Sequence, residues 1–250
     1  MEPQTVPMAS GARWFADGWH TFRSKPGLWL LLIVVYIAIA FVLNLIPLVG
    51  GPAFNLIAPG LAAGMLYVAH EVRTGGDPQI ANLFFPLRDT NKRGAMLTLG
   101  ALSLGAVILA QVVLLLAVGG SMGAAGMSSA AQGESADLAM GAVGVGAILG
   151  ILVALAIGVL LALAMLYGVP LVLFTRTRVV EALKASLRAV RMNIPAVLVF
   201  GLIYLVLAII ATIPFGLGFL ILGPVTFGAV YASFREVFPA AVEQPAEAEG

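Results

Sequence analysis

The chain has 250 residues, of which 61% are hydrophobic and 10% charged, with a formal net charge of +1; an ordinary soluble domain carries roughly 25% charge. So apolar a composition excludes a water-surrounded globule and makes lipid the expected solvent. The absence of cysteine excludes disulfides, thiolate metal sites and cysteine nucleophiles.

In chain order, residues 1–9 read as a disordered tail. An amphipathic segment follows, with Trp14, Phe15, Trp19 and Phe22 on one helical face and Arg13, Asp17, His20 and Arg23 spread over the other. The first apolar run extends from about Leu28 to Ile46. Ala38-Ile39-Ala40 resembles a signal-peptide cleavage site, but the run continues well past the roughly 7–15 residues of a cleavable apolar core, so an uncleaved span is expected. A second run covers Ala53 to His70. Leu28 to His70 as one helix would be about 65 Å long, about twice what a bilayer accommodates. The intervening IPLVGGP (Ile46–Pro52) therefore reads as a reversal.

A second short segment has Asp77-Pro78 as the expected helix start and Ile80, Leu83 and Phe84 on one face. Spans three and four are expected over Ala95–Val118 and Val145–Phe174, joined by a Gly/Ser/Ala loop, Gly119–Leu138. Gly168 and Pro170 should kink span four, and Gly146 and Gly150 give a G-x-x-x-G spacing suited to close helix packing. The third amphipathic segment sets Val180, Leu183, Leu187 and Val190 against Glu181, Lys184, Arg188 and Arg191. Spans five and six, Ala196–Ile213 and Leu217–Phe234, flank a second break, IPFGLG (Ile213–Gly218). Residues 239–250 form an acidic tail expected to be disordered.

The expected fold is all-α: a polytopic bundle of six transmembrane helices arranged as three hairpins, each preceded by an interfacial amphipathic helix. Residues 10–238 form one membrane domain with repeat units at about 10–72, 77–174 and 179–238. All 13 Lys and Arg residues fall before span one, between two and three, between four and five, or after six. Six spans with both termini in the cytoplasm place every one inside, as the positive-inside rule requires. The outer hairpins match in order: Arg23, Pro26, Tyr36, Ile46-Pro47, Pro59, Gly64 and Tyr67 against Arg191, Pro195, Tyr204, Ile213-Pro214, Pro224, Gly228 and Tyr231.

Residues able to carry chemistry are few. Gly119-Gly120-Ser121-Met122-Gly123 fits the G-x-S-x-G nucleophile pattern but lacks the strand–turn–helix context, and the charge distribution puts His20 and His70 across about 30 Å of hydrocarbon from Ser121. Asp17 with His20 and Glu71 with His70 lack a metal-site spacing. Well within the spans the polar residues are Asn44, Asn55, Ser103, Gln111, Thr212 and Thr226, with Tyr36 and Tyr204, none of which titrates near neutral pH, and this argues against proton- or sodium-coupled transport. Pro59-Gly60 and Gly223-Pro224 interrupt spans two and six at similar depth, a pattern that marks substrate cavities in transporters; Pro59, Gln111 and Pro224 are the candidate cavity lining. Arg23, Lys25, Lys92, Arg93, Lys184, Arg188 and Arg191 form a basic collar able to meet anionic phospholipid or a partner protein, including a second copy of the chain. No catalytic residue, cofactor, metal or nucleic-acid partner is expected. A permease or channel for a small neutral or lipid-like solute is the alternative to a noncatalytic membrane protein.

The order Gly18-Trp19-x-x-Phe22, Pro26, Ile46-Pro47-x-x-Gly50, the charged segment Glu181–Asn193, Phe200–Tyr204 and Ile213-Pro214-Phe215-Gly216 resembles a family of uncharacterised proteobacterial six-span inner-membrane proteins. That family is more distantly similar to the membrane domain of glycerophosphoryl diester phosphodiesterases. The resemblance implies a bacterial inner-membrane location and a helical bundle, and it carries over no catalytic residue.

Overall fold

The computed structural model describes residues 2–132 and 136–243, with side chains except those of 124–143 and 243. Among the described residues every regular element is a helix: α1 (Ser10–Ser24), α2 (Pro26–Asn44), α3 (Gly50–Thr74), a 3-10 turn (Ile80–Phe84), α4 (Phe85–Arg88), α5 (Thr90–Gln132), α6 (Ala136–Phe174), α7 (Val179–Met192), α8 (Ile194–Thr212), α9 (Phe219–Val237) and α10 (Ala240–Glu243). Five of these, α2, α3, α5, α6 and α8, are long and apolar enough to cross a membrane. The chain is a helical membrane protein.

The expected sixth span is a helix, α9, yet it does not join the other five. Pro224, Thr226, Tyr231, Ser233, Arg235 and Glu236 dilute its apolar run, and more than half of its residues are buried. The expected loop Gly119–Leu138 also differs. Helix α5 runs through Gln132 and α6 begins at Ala136, so most of the expected loop is helical despite its glycine and serine content. At 43 residues α5 is about 64 Å long, twice a hydrocarbon core.

The chain divides into two compact units, residues 102–162 and the remainder. In the smaller one, the outer parts of α5 and α6 pair through the G-x-x-x-G spacing. A Cβ on Gly146 would lie 2.5 Å from Ser121 Cβ, and one on Gly150 2.8 Å from Ala117 Cβ.

In the larger unit three helix crossings carry the core. Gly64 on α3 admits the 3-10 turn, since a Cβ there would meet Leu83 O at 1.9 Å. Gly18 on α1 meets α9 in the same manner, with Val225 O 2.2 Å from its ideal Cβ, and Gly228 faces Gly18 Cα at 3.0 Å. The third crossing uses a hydroxyl. Ser186 on α7, fully buried, donates to Leu163 O at 2.7 Å and accepts from Tyr167 N at 3.1 Å, so one hydroxyl joins α7 to two backbone groups one turn apart on α6. Pro170, three residues on, cannot donate. Helix α6 continues through Pro170 to Phe174. The three crossings fall at Gly64-x-x-Tyr67, Ala164-x-x-Tyr167 and Gly228-x-x-Tyr231, with alanine in place of glycine at the second.

The two breaks share a backbone device. Among the described residues Leu48 (φ 64°) and Phe215 (φ 54°) are the non-glycine residues with positive φ, each directly after the proline of its Ile-Pro pair. Their side chains are 95% and 100% exposed. Glycine is not supplying the left-handed turn at the first break. Gly50 is needed for another reason, as its ideal Cβ would lie 1.6 Å from Leu43 O where the chain returns along α2.

The N-terminal residues are tied down where composition suggests a free tail. Gln4 N donates to Val237 O at 2.9 Å, Val6 N to Asn193 Oδ1 at 2.7 Å, and Asn193 Nδ2 to Gln4 O at 3.0 Å. Asn193 is buried and answers the strap's backbone as a strand partner would. Part of the C-terminal tail, residues 244–250, lies outside the described residues.

Candidate functional site

Helix α7 starts at Val179, carries Glu181 in its first turn and Arg191 in its last, both favourable with the helix dipole. Its buried face is made of small groups, Ala182, Ser186 and Ala189, with Val190 beside them. This stripe is rotated from the expected one: Val180 is 60% exposed, while Leu183 and Leu187 are half-buried. Ser186 dictates the rotation, because its two hydrogen bonds to α6 are available only on that face.

One surface is left with Arg176, Arg178, Lys184, Arg188 and Arg191, all exposed. Glu181 is the one acid between Thr175 and Asn193. The ion pairs of the described residues are Arg13–Glu236, Lys25–Asp77 and Arg73–Asp17, so these five cations are unpaired. Exposed Val180 and Met192 flank them.

The rest of the expected collar is divided. Arg23 and Arg93 are exposed and unpaired. Lys25 donates to Asp77 Oδ1 at 2.6 Å, which holds the Asp77 carboxyl below the ordinary value of 3.8. Asp77 is therefore not the helix cap its position before Pro78 suggests; Gln79 and Asn82 form the capping box instead. Lys92 is half-buried and donates to Leu173 O in the last turn of α6, capping that helix end.

Pro59 and Pro224 are buried in helix packing, and Gln111 is exposed on α5. None of the three borders either of the two clefts described, one lined by Arg13, Arg73 and Arg235 and the other by Trp19, Pro214 and Val225. Ser121 sits in a helix and gives its hydroxyl to Val118 O at 2.8 Å. Among the described residues no three His, Asp or Glu side chains gather as a metal group. His70 Nδ1 lies 2.7 Å from Tyr231 OH inside an aromatic cluster with Phe174 and Phe234, and His20 is exposed.

Sequence reasoning missed Glu236. This carboxylate, near the C-terminus of α9, accepts from Trp14 Nε1 at 2.6 Å, Ser10 Oγ at 2.8 Å and Arg13 Nη2 at 3.2 Å. It lies at the N-terminal end of α1, where the helix dipole favours an anion. The periodicity of α1 holds the signal, since Ser10, Arg13 and Trp14 lie on one face at i, i+3, i+4; their common acceptor is more than 200 residues away.

No protein-family model, curated protein or solved structure matches the chain. Its class, a polytopic helical membrane protein with an unpaired basic helix at its surface, rests on its own residues.

Proposed function

We propose that the protein is a noncatalytic integral protein of the bacterial inner membrane whose α7 binds anionic phospholipid at the cytoplasmic leaflet. The observation that carries this reading is five exposed cations on and just before α7, none ion-paired among the described residues, beside exposed Val180 and Met192. Basic residues at an anionic leaflet contribute about 1 kcal/mol each, and adjacent apolar side chains add insertion area. Exposed apolar surface on α2 and α8 fits lipid contact along the spans, and both termini lie inside by the distribution of Lys and Arg. Three hairpins, each with its own amphipathic segment, are supported by the three matching crossings and the paired Ile-Pro turns.

The test is native mass spectrometry of the detergent-purified protein after equilibration with mixed phosphatidylglycerol and phosphatidylcholine. Lys184→Gln/Arg188→Gln/Arg191→Gln should lose most of the phosphatidylglycerol preference while unfolding at the wild-type temperature. An unchanged preference overturns the reading.

A further inference from the structure

The other concentration of charge is a cleft of about 300 Å³ lined by Arg13, Asp17, Arg73, Ala232, Arg235 and Glu236. Its two carboxylates are unequally engaged. Glu236 is saturated by Arg13, Ser10 and Trp14. Asp17 reaches Arg73 at 3.7 Å, near the outer limit of an ion pair. Arg73 Nη1 is also held by Thr21 Oγ1 at 3.5 Å, and Thr21 gives its own hydrogen to Asp17 O. Arg235 has no ion-pair or hydrogen-bond partner among the described residues. Arg73, from the last turn of α3, and Arg235, from the last turn of α9, thus line one cleft together with buried Ala232.

Each arginine alone has a bland explanation. Arg73 and Arg235 sit in the last turns of α3 and α9, where a cation offsets the helix dipole. That accounts for neither the gathering of Arg73 and Arg235 at one cleft nor the lack of a counter-charge for Arg235, since like charges at the edge of a low-dielectric wall repel unless an anion lies between them. Guanidinium forks match phosphate oxygens in pairs. A volume of about 300 Å³ is at the lower end of small-ligand sites, enough for one phosphate group and its immediate substituent.

We infer that this cleft is a binding site for a phosphate group, gripped by Arg73 and Arg235 and separate from the α7 surface. The group can arrive as free inorganic phosphate or as the headgroup of an anionic phospholipid.

The experiment uses the full chain in a nonionic detergent. One arm titrates inorganic phosphate calorimetrically; the other measures phosphatidylglycerol retention against phosphatidylcholine by native mass spectrometry. Arg235 is exposed, so Arg235→Gln should fold normally, and the unfolding temperature checks this; Arg73→Gln is the companion variant. Saturable phosphate binding weakened about ten-fold or more by Arg235→Gln, the loss expected for one charge-assisted pair, supports the site with free phosphate as ligand. No phosphate binding, together with phosphatidylglycerol retention that falls about ten-fold or more in Arg235→Gln, supports it with a headgroup as ligand. Binding of both probes that is indifferent to Arg235, or absent, overturns it. The α7 triple variant should leave the Arg235-dependent binding intact, so failure of either proposal is read separately from failure of the other.

Discussion

Helices α1 and α7 look alike in the sequence and have opposite fates in the fold. Both are short, amphipathic and basic, and both precede an apolar run. Helix α1 turns its large apolar face inward: Trp14, Phe15 and Phe22 are buried, Trp14 and Phe15 lie against Phe200, and Trp19 alone of the four aromatics is exposed. Two of its charges are answered within the protein, Arg13 by Glu236 and Asp17 by Arg73, and Arg23 at its end is left exposed. Helix α7 docks by small residues and one hydroxyl, and its cations have no ion-pair partner among the described residues. The difference teaches that amphipathicity identifies a helix with two unlike faces without saying which solvent meets the apolar one. What decides is backbone access: Gly11 and Gly18 let α1 sink onto α8 and α9, with ideal Cβ atoms 2.3 Å from Ala196 O and 2.2 Å from Val225 O.

The sharpest way to break the contrast is Gly18→Ala. Its new methyl meets backbone on α9, which has no rotamer to yield, so a loss of about 3 kcal/mol or more is expected, read as a lowered unfolding temperature by tryptophan fluorescence in detergent. Gly27→Ala, with nothing within 4 Å of its Cβ, should leave that temperature unchanged. Next is Glu236→Ala, which strips the acceptor from buried Ser10 and Trp14 and should cost about 1–3 kcal/mol; Trp14 emission should change along with the midpoint. Ser186→Ala removes the hydroxyl on the α7 side. Leu163 O and Tyr167 N remain placed for each other at helical spacing, which limits the expected loss to about 1 kcal/mol; a larger loss would mean that the hydroxyl is their principal partner.

The smallest effect belongs to Lys25 and Asp77. The carboxyl is fully exposed and its titration is depressed by the lysine. A depressed carboxylate stabilises the fold above its unfolded value and loses that contribution as pH falls through the lowered one. Any difference in unfolding temperature between wild type and Asp77→Asn should accordingly be present at neutral pH and vanish on acidification well below 3.8.

Apolar run length with proline and glycine punctuation by itself determined the helical membrane class, five apolar helices long enough to span and the two Ile-Pro breaks, because each is a local property of a segment. The G-x-x-x-G packing of α6 was legible for the same reason. Only the tertiary structure decided that α9 is half core, since its burial depends on α1 and on the end of α3, far away in the chain. It also decided that Leu48 and Phe215 carry the turns, that Ser186 joins α7 to α6, and that Arg13, Arg73 and Arg235 share a cleft. Those three arginines are 60 residues or more apart in the chain; sequence spacing records which face of its own helix a residue occupies, whereas a shared cleft is set by the crossings that glycine and serine permit.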